Sequence, residues 1–457
     1  MMRTITVAAA VFLLVASASL AGTSASQPKT RWHATVAALP SDAATGENQQ
    51  VGIGPISCSS PGNCSAVGTY VGKTGDQEGL LLTEKAGRWA RGLRPTLPAS
   101  AAAGTPVNLT AVSCPADGTC TAVGSFDGSG LLLTEKGGHW RRGVNAPLPS
   151  GAGWVSLYSV SCASAGNCTA VGDDNGRGLV LTEKAGRWAR GRFFGRSSAS
   201  IDSVSCASDG SCSAVGYDNW QSGDRNDGPT GDALVLSKKN GKWRRANPSD
   251  LGASEGNYLG SVSCVPRGNC SATVLYNISI DNSNGPYGML LNEKAGKWVG
   301  AVDATPPNNA NAGASVYLDD VSCAAPGDCL AVGVAGNEVT LLTEKGGNWQ
   351  NGVEAGLPRG GQGGEPYAVS CSSPGNCTAV GTFFGTSSGN SVAGPWGLLL
   401  TEIGGRWEPA VKAPLFRGSF DSVDSVSCTS PGNCSAVGSG YFDGGPTYGV
   451  LLDSTTP

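Results

Sequence analysis

The sequence Val-Ser-Cys-Pro-Ala-Asp-Gly-Thr-Cys-Thr-Ala-Val-Gly at residues 112–124 decides the fold, because variants of it recur eight times along the chain. Each copy holds two cysteines with five residues between them, and a glycine stands two positions before the second cysteine. The copies use all 16 cysteines, as Cys58 and Cys64, Cys114 and Cys120, Cys162 and Cys168, Cys206 and Cys212, Cys264 and Cys270, Cys323 and Cys329, Cys371 and Cys377, and Cys428 and Cys434. A unit repeated at roughly 50-residue spacing is typical of one repeated architecture.

The even number of cysteines, with none left over, predicts one disulfide in each copy. Disulfides persist in oxidising compartments, so this interpretation places the chain outside the cytosol. Zinc is the alternative for paired cysteines, but each copy offers two thiols and no nearby histidine, whereas a structural zinc site needs four ligands. We therefore expect disulfides, no metal and no cofactor.

The residues around each cysteine pair predict four short strands, A to D. In the second copy, strand A carries Val112 to Cys114, strand B carries Cys120 to Gly124, strand C is the apolar run from Leu131 to Lys136, and strand D begins at Trp140. Repeated four-stranded units are the signature of a β-propeller. An array of separate small domains is the alternative, but one unit is too small to bury a core of its own. The copies start near residues 56, 112, 160, 204, 262, 321, 369 and 426.

The two ends of the chain predict that the propeller closes into a ring. The eighth copy stops at Asp453 after strand C, whereas Thr30-Arg31-Trp32-His33 near the N-terminus has the pattern of a strand D. We expect a strand within residues 30–40 to complete the last blade and so remove an exposed sheet edge. The predicted fold is therefore all-β: a single eight-bladed β-propeller over residues 26–457, with seven blades as the fallback.

Residues 1–25 are predicted to be an export signal. Arg3 precedes an apolar run from Val7 to Ala21, and Thr23 and Ala25 have the −3/−1 spacing of a signal-peptidase site. The run is too short for a comfortable transmembrane helix, and no later stretch is long enough to span a membrane. With a net charge of −4 there is no basic field for nucleic acid. We expect a secreted, extracellular monomer.

The apolar run, threonine, glycine turn and tryptophan of each copy resemble the bacterial neuraminidase (Asp-box) repeat and the propellers of photosystem II assembly factors. The resemblance covers nearly the whole mature chain and implies a propeller fold. The cysteine pair is foreign to those families, and lysine stands where the aspartate of an Asp box would be, at Lys85, Lys136, Lys184, Lys294 and Lys345. The resemblance therefore does not imply sialidase activity, whose arginine cluster cannot be identified in this sequence.

The two faces of the predicted wheel differ in character. The A–B and C–D turns lie on one face, are short, and carry Glu84-Lys85, Glu135-Lys136 and their equivalents, which we interpret as a solvated charge ring without a chemical role. The B–C and D–A connections lie on the other face and hold all the variation in loop length. Loops on a rigid scaffold carry function, so this variable face is the candidate binding surface.

Aromatic residues outside the repeat supply the candidate ligand-binding residues of the variable face, because aromatic rings stack on sugars or anchor peptides. The candidates are Trp154, Trp220, Asp224, Arg225, Tyr287, Trp396 and Tyr448. Trp220, Asp224 and Arg225 share a polar insertion that is a ligand-facing loop, a calcium loop or a plain hydrophilic loop. The alternative for the aromatic residues is that they pin down long loops.

Candidate catalytic residues are few. Two histidines in 457 residues nearly exclude histidine-dependent chemistry. The acidic pairs Asp173-Asp174 and Asp319-Asp320 could serve acid–base chemistry only if burial separates their pKa values. No catalytic residue is assigned.

Three functions remain open. The first is a non-enzymatic binding propeller that presents its variable face to a glycan or an extracellular protein. The second is a glycoside hydrolase or lyase, which needs carboxylates about 5–10 Å apart in one pocket. The third, by fold analogy alone, is a cell-envelope scaffold or assembly factor, which would carry a broad apolar patch.

Overall fold

Each cysteine pair closes the first hairpin of its own antiparallel sheet, and eight such sheets follow one another along the chain. The computed structural model describes residues 29–102, 104–196, 198–221, 230–246, 258–276, 287–310, 314–386, 392–415, 420–442 and 445–455. The predicted signal at residues 1–25 lies outside these ranges. The sheets are the blades of a propeller, numbered 1 to 8 from the first cysteine pair.

The strands of the first four blades, in the order A, B, C and D, have the following bounds. Blade 1 has Val51–Ser60, Asn63–Val71, Gln77–Lys85 and Arg88–Trp89; blade 2 has Val107–Ala116, Thr119–Phe126, Ser129–Lys136 and a divided strand D of His139–Trp140 and Val144–Asn145. Blade 3 has Val155–Ser164, Asn167–Asp174, Gly178–Lys184 and a divided strand D of Arg187–Trp188 and Arg192–Phe194; blade 4 has Ser200–Cys206, Cys212–Gln221, Thr230–Lys239 and Lys242–Ala246.

The last four blades repeat the arrangement. Blade 5 has Tyr258–Val265, Asn269–Tyr276, Tyr287–Lys294 and Lys297–Asp303; blade 6 has Val316–Ala325, Asp328–Ala335, Glu338–Lys345 and the divided Asn348–Trp349 and Val353–Glu354. Blade 7 has Gly361–Ser373, Asn376–Thr386, Val392–Ile403 and the divided Arg406–Trp407 and Val411–Lys412; blade 8 has Phe420–Ser430, Asn433–Tyr441, Thr447–Thr455 and Arg31–Val36. A 3-10 turn at Gly46–Asn48 is the one helical element in the described ranges.

The N-terminal strand closes the ring, as the two chain ends predict. Arg31–Val36 pairs antiparallel with Thr447–Thr455, with Trp32 opposite Ser454. Strand A of every blade contacts strand A of the next, and strand A of blade 8 contacts strand A of blade 1. The strands A therefore surround the axis of a closed wheel. The prediction of eight blades is confirmed.

All eight predicted disulfides are present, and each lies within the A–B hairpin of its own blade, so no cystine bridges two blades. The bonded pairs are Cys58 with Cys64, Cys114 with Cys120, Cys162 with Cys168, Cys206 with Cys212, Cys264 with Cys270, Cys323 with Cys329, Cys371 with Cys377, and Cys428 with Cys434. Such a number of disulfides indicates an oxidising, non-cytoplasmic compartment.

In six blades the glycine of the A–B turn leaves no room for a side chain beside the C–D turn of the same blade, whereas a Cβ at Gly210 of blade 4 would meet nothing within 4 Å. In blade 1, Gly62 has a φ of +70°, and a Cβ there would lie 2.6 Å from the backbone nitrogen of Gly87. A side chain at this position would therefore collide with backbone as well as strain its own dihedral angles. Both short turns of a blade lie on one face of the wheel, the short-turn face.

The serine before each first cysteine ties neighbouring blades together. The backbone N–H of the cysteine donates to the serine Oγ of the preceding blade at 2.9–3.1 Å, in all eight interfaces. The serines are Ser57, Ser113, Ser161, Ser205, Ser263, Ser322, Ser370 and Ser427. The Val-Ser-Cys motif thus forms a complete ring of hydrogen bonds around the inner strands.

Removing one of these hydroxyls should weaken the wheel measurably. We expect Ser161→Ala to lower the free energy of unfolding by about 1 kcal/mol, because the N–H of Cys206 loses its acceptor at 2.9 Å. Denaturant unfolding of the full chain measures the change. Ser150→Ala, at an exposed loop position, is the control and should leave the unfolding free energy unchanged. Equal effects of the two substitutions would contradict a role for the serine ring.

The tryptophan at the start of strand D packs between blades and uses its indole N–H there. Trp140 Nε1 donates to the Thr83 hydroxyl at 3.2 Å, and Trp243 Nε1 donates to the Thr182 hydroxyl at 3.3 Å. In both cases the acceptor is the threonine of the Thr-Glu-Lys motif in the preceding blade. The hydrophobic core is correspondingly divided into clusters that mix residues of adjacent blades.

Candidate functional site

Strand A of every blade carries a β-bulge in its half nearer to the variable face. The pairing of strands A and B shifts register in all eight blades around the position four residues before the first cysteine. The residues at this bulge position are Gly54, Thr110, Tyr158, Asp202, Gly260, Asp319, Tyr367 and Asp424. Bulges re-aim a side chain out of the regular alternation, and here they do so on the innermost strands of the wheel.

In the blades that keep the Cys-x-Ala-Val-Gly motif, its last glycine lies against the bulged strand without room for a side chain, whereas blade 5 has its bulge opposite Val274. A Cβ at Gly172 would lie 1.9 Å from the carbonyl oxygen of Ser156, and a Cβ at Gly124 would lie 2.0 Å from that of Asn108. Glycine in a strand marks such a close backbone approach. The glycine of strand B therefore helps to position a residue of strand A.

Blades 3 to 8 place tyrosine and carboxylate side chains next to one another around this inner ring. We name as the axial arc the residues Tyr158, Asp173, Asp202, Tyr217, Tyr258, Tyr317, Asp319, Glu365, Tyr367 and Asp424. The Tyr158 hydroxyl donates to Asp173 Oδ1 at 2.6 Å. Tyr158 and Tyr317 are 39 % and 43 % exposed, so part of the arc is open to a ligand.

Aromatic rings form a continuous part of the arc in blades 4 and 5. The ring centroid of Tyr217 lies 6.0 Å from that of Tyr258 and 5.1 Å from that of Trp220. Trp220 is thus the one sequence-predicted site residue with a described ring contact to the arc. Burial raises the pKa of both tyrosine hydroxyls, and the negative charge of Asp202 adds to the rise.

The carboxyl groups of the arc have raised pKa values. Burial raises the pKa of Asp319 to about 8, and the neighbouring charges of Glu365 and Asp320 add to the effect. Burial raises the pKa of Asp202 and of Asp424 to about 6, although a serine hydroxyl beside each opposes the change. With a pKa of about 8, the Asp319 carboxyl group is mostly protonated at neutral pH.

In each of the two acidic pairs, one aspartate belongs to the axial arc and the other has a structural role. Asp320 accepts the Ser261 hydroxyl at 2.6 Å and the backbone N–H groups of Val321 and Val369 at 2.9 Å, so it links three blades. Burial raises the pKa of Asp320, and these three donors oppose the rise. Asp319, by contrast, has a buried Oδ2 without a hydrogen-bond partner in the described ranges.

In the other pair, Asp174 is fully buried and is the structural member. It forms an ion pair with Arg177 and accepts the backbone N–H of Gly153 at 2.8 Å. Asp173 accepts the Tyr158 hydroxyl and thus belongs to the arc. In the second pair burial raises the pKa of both Asp319 and Asp320, so the separation of pKa values that acid–base chemistry requires stays a prediction.

The remaining sequence-predicted ligand-binding residues are not brought together. Trp154 is 63 % exposed, with its ring against the turn at Gly128. Trp396 packs against Phe383, with ring centroids 5.4 Å apart, in the core between blades 6 and 7. Tyr448 is buried and donates its hydroxyl to Asp421 at 2.9 Å. Asp224 and Arg225 lie outside the described residues, as does the side chain of Tyr287, whose backbone begins strand C of blade 5.

The cysteines are core residues of the wheel and do not contribute to the axial arc. The second cysteine of each pair is buried, with an exposed fraction of 2–5 %, and each belongs to a different hydrophobic cluster. These residues are Cys64, Cys120, Cys168, Cys212, Cys270, Cys329, Cys377 and Cys434. Their role is therefore structural: each cystine closes a hairpin and fills space between two blades.

The prediction of a solvated charge ring on the short-turn face is wrong. Its glutamates are buried, with exposed fractions of 0–8 %, at Glu84, Glu135, Glu183, Glu293, Glu344 and Glu402. The lysine after each of the first three, as at Lys85, is exposed. The reason is the alternation along strand C, which turns lysine outward and glutamate towards a neighbouring blade.

The buried glutamates lie between blades with few hydrogen-bond donors. Glu293 accepts the Ser213 hydroxyl at 2.7 Å, and Glu135 accepts the Ser65 hydroxyl at 3.4 Å. Glu84 and Glu135 line one cavity of about 370 Å³, and each has a buried carboxylate oxygen without a partner in the described residues. Burial and the charge of Asp453 raise the pKa of Glu84 to about 7.

The aromatic residues outside the repeat do not reveal the axial arc. The sequence signal for the arc lies within the repeat itself. The column four residues before the first cysteine lies between apolar and small residues, yet it holds Asp202, Asp319, Asp424, Tyr158 and Tyr367. Polar side chains at one column of a buried strand indicate a shared environment. An alignment of the eight copies that begins four residues before the first cysteine shows these aspartates and tyrosines in one column.

Within the described residues, no helix is both long and apolar enough to cross a membrane. In the same ranges, no three histidine, cysteine, aspartate or glutamate side chains converge so as to hold a metal ion.

Comparison with known proteins gives the chain no family assignment. No family model matches the chain, and no curated protein matches it. Among solved structures, the chain is similar to the Dos1 propeller, with 9 % identity, a TM-score of 0.49, and 94 % of each chain covered. It is also similar to virginiamycin B lyase from Staphylococcus aureus, with 9 % identity, a TM-score of 0.39, and 93 % of this chain and 99 % of that chain covered. A third is the GH74 xyloglucanase from Xanthomonas campestris, with 12 % identity, a TM-score of 0.40, and coverages of 90 % and 80 %. These distant neighbours do not assign the chain to the neuraminidase-like or the assembly-factor families.

Proposed function

We propose that the protein is an exported, extracellular binding propeller that takes a glycan on the axial arc. The observation that carries the proposal is the run of aromatic rings from Trp220 through Tyr217 to Tyr258, bordered by Asp202. Amphipathic rings pack on the apolar faces of sugars, and carboxylates accept hydrogen bonds from sugar hydroxyls. Oxidising conditions, which the eight disulfides indicate, are those of the compartments where exported proteins meet polysaccharides.

A glycan-binding screen with wild type and a Tyr158→Ala/Tyr317→Ala double variant tests this proposal. Both side chains are exposed, so their removal should leave folding intact. We expect the double variant to bind at least about tenfold more weakly, because stacked rings contribute affinity beyond their area. Val353→Ala, exposed on the outer strand of blade 6, is the control. Unchanged affinity in the double variant would remove the axial arc as the site, and failure of wild type to bind any glycan would remove the function.

One observation favours a second candidate, a glycoside hydrolase or lyase. Asp319, with a pKa of about 8, carries a proton at neutral pH as a general acid must, and the Glu365 carboxylate lies close enough to act on it. Release of new reducing ends or unsaturated products from the bound glycan would favour this candidate. Asp319→Asn should then abolish product release while leaving glycan binding in place.

A further inference from the structure

Within the described ranges, no arginine or lysine forms an ion pair with a carboxylate of the axial arc, whereas other acids of the variable face have such partners. Glu78 pairs with Arg94 at 2.5 Å, and Asp174 and Asp218 pair with Arg177 and Arg245. These are buried acids of blades 1, 3 and 4, and each takes an arginine from its own blade or its strand D connection. These arginines therefore neutralise buried carboxylates that have a structural role.

In the arc, every charged neighbour that acts on an acidic group is itself acidic. Asp202 faces Asp173, Asp319 faces Glu365 and Asp320, and Tyr367 faces Glu365 and Asp424. Asp202 Oδ2 and Asp319 Oδ2 are buried and have no partner in the described ranges. The arc thus concentrates acidic groups for which the described part of the chain supplies no ion-pair partner.

The tyrosines add a second, independent feature that points to the same kind of ligand. The faces of aromatic rings carry a negative potential that attracts ammonium groups, and cages of such rings recognise alkylated amines. Tyr217, Tyr258 and Trp220 are in ring contact, and Tyr317 lies beside Tyr258 from the next blade. Aromatic faces and carboxylates therefore alternate along the arc.

We propose that the ligand of the axial arc is a cationic glycan, a polymer whose sugars carry free primary amino groups. Its ammonium groups lie on the tyrosine faces and pair with the carboxylates of Asp202, Glu365 and Asp424, while its sugar rings stack on Trp220 and Tyr217. This inference rests on the proposed function and narrows it. An anionic glycan would be repelled by the arc, and a neutral glycan would desolvate its carboxylates without replacing the lost hydration by a charge.

Two soluble oligosaccharides of equal length test the inference, because N-acetylation replaces the ammonium group of each sugar by a neutral acetamide. Calorimetric titration of the full chain at about pH 7, above the pKa values of about 6 of Asp202 and Asp424, compares an oligomer of glucosamine with the matching oligomer of N-acetylglucosamine. We expect the glucosamine oligomer to bind at least about tenfold more tightly, and added salt to reduce that preference.

Two variants locate the effect. Glu365 is exposed, so Glu365→Gln should fold normally and should reduce the preference for the glucosamine oligomer at least about threefold. Asp202→Asn should do the same from the buried side of the arc. Glu354→Gln, exposed on the outer strand of blade 6, is the matched control and should keep the full preference.

The outcomes distinguish the inference from the function on which it rests. Equal affinity for the two oligomers would overturn the cationic ligand while leaving glycan binding standing. A preference that survives both arc variants, or that Glu354→Gln removes equally well, would also overturn it. Absence of binding to either oligomer and to every glycan in the screen would overturn both proposals.

Discussion

Gly172→Ala is expected to lower the free energy of unfolding by about 3 kcal/mol, because the new Cβ has no space. It would lie 1.9 Å from the carbonyl oxygen of Ser156 and 2.8 Å from the Cα of Leu157, both of them backbone atoms. Relief requires strands A and B of blade 3 to move apart beside the bulge, which displaces Tyr158. Denaturant unfolding, with glycan binding as the second readout, measures both consequences.

Gly356→Ala is the matched control for this substitution. A Cβ at Gly356 meets nothing within 4 Å, and the residue does not have a left-handed backbone. We expect it to leave stability and binding unchanged. If Gly172→Ala were tolerated as well as Gly356→Ala, the glycine of strand B would have no role in admitting the bulge.

The stability of the wheel is expected to fall by roughly 6 kcal/mol as the pH rises from about 5 to about 8. The folded state raises the pKa of Glu84 to about 7 and of Asp319 to about 8, above the values of the unfolded chain. Between the unfolded and folded pKa values the folded state binds more protons than the unfolded state, so unfolding becomes easier with rising pH. The stabilising effect is complete only below the unfolded pKa values, near pH 4. Unfolding curves recorded across this pH range provide the measurement.

Glu84→Gln isolates one contribution to this pH dependence. The amide imitates the protonated acid, which faces Asp453 and Ser435 of blade 8. The variant should match wild type near pH 5 and exceed its stability at about pH 8. Glu354→Gln, whose side chain is exposed, should follow wild type throughout. A wild-type slope in the Glu84 variant would show that this carboxyl group is not the source of the effect.

The fold is predictable from the sequence because its evidence is repeated eight times. Cysteine spacing predicts the hairpins, and the Trp32 motif at the opposite end of the chain from its blade predicts closure. Each of these features is a short sequence pattern that can be interpreted without knowing which residues surround it in the folded protein.

The site is less predictable because it depends on which blade a residue faces. Glu84 has the sequence context of a surface residue, and only the inter-blade geometry shows that it is buried. Trp396 and Tyr448 stand outside the repeat motif and are nevertheless core residues. Asp319, conversely, sits in a strand of the wheel, and the bulge that brings it to the axis becomes visible only from the register of strands A and B.

The strand Arg31–Val36 has its partner, Thr447–Thr455, at the far end of the described chain. Synthesis runs from the N-terminus, so this strand remains unpaired until its partner has been synthesised. Pairing of segments so distant in sequence is slow. Earlier blades can form their own cystines one after another in the meantime. The ring therefore closes only after the last strand has been made. It stays open during translation and any transport that accompanies it.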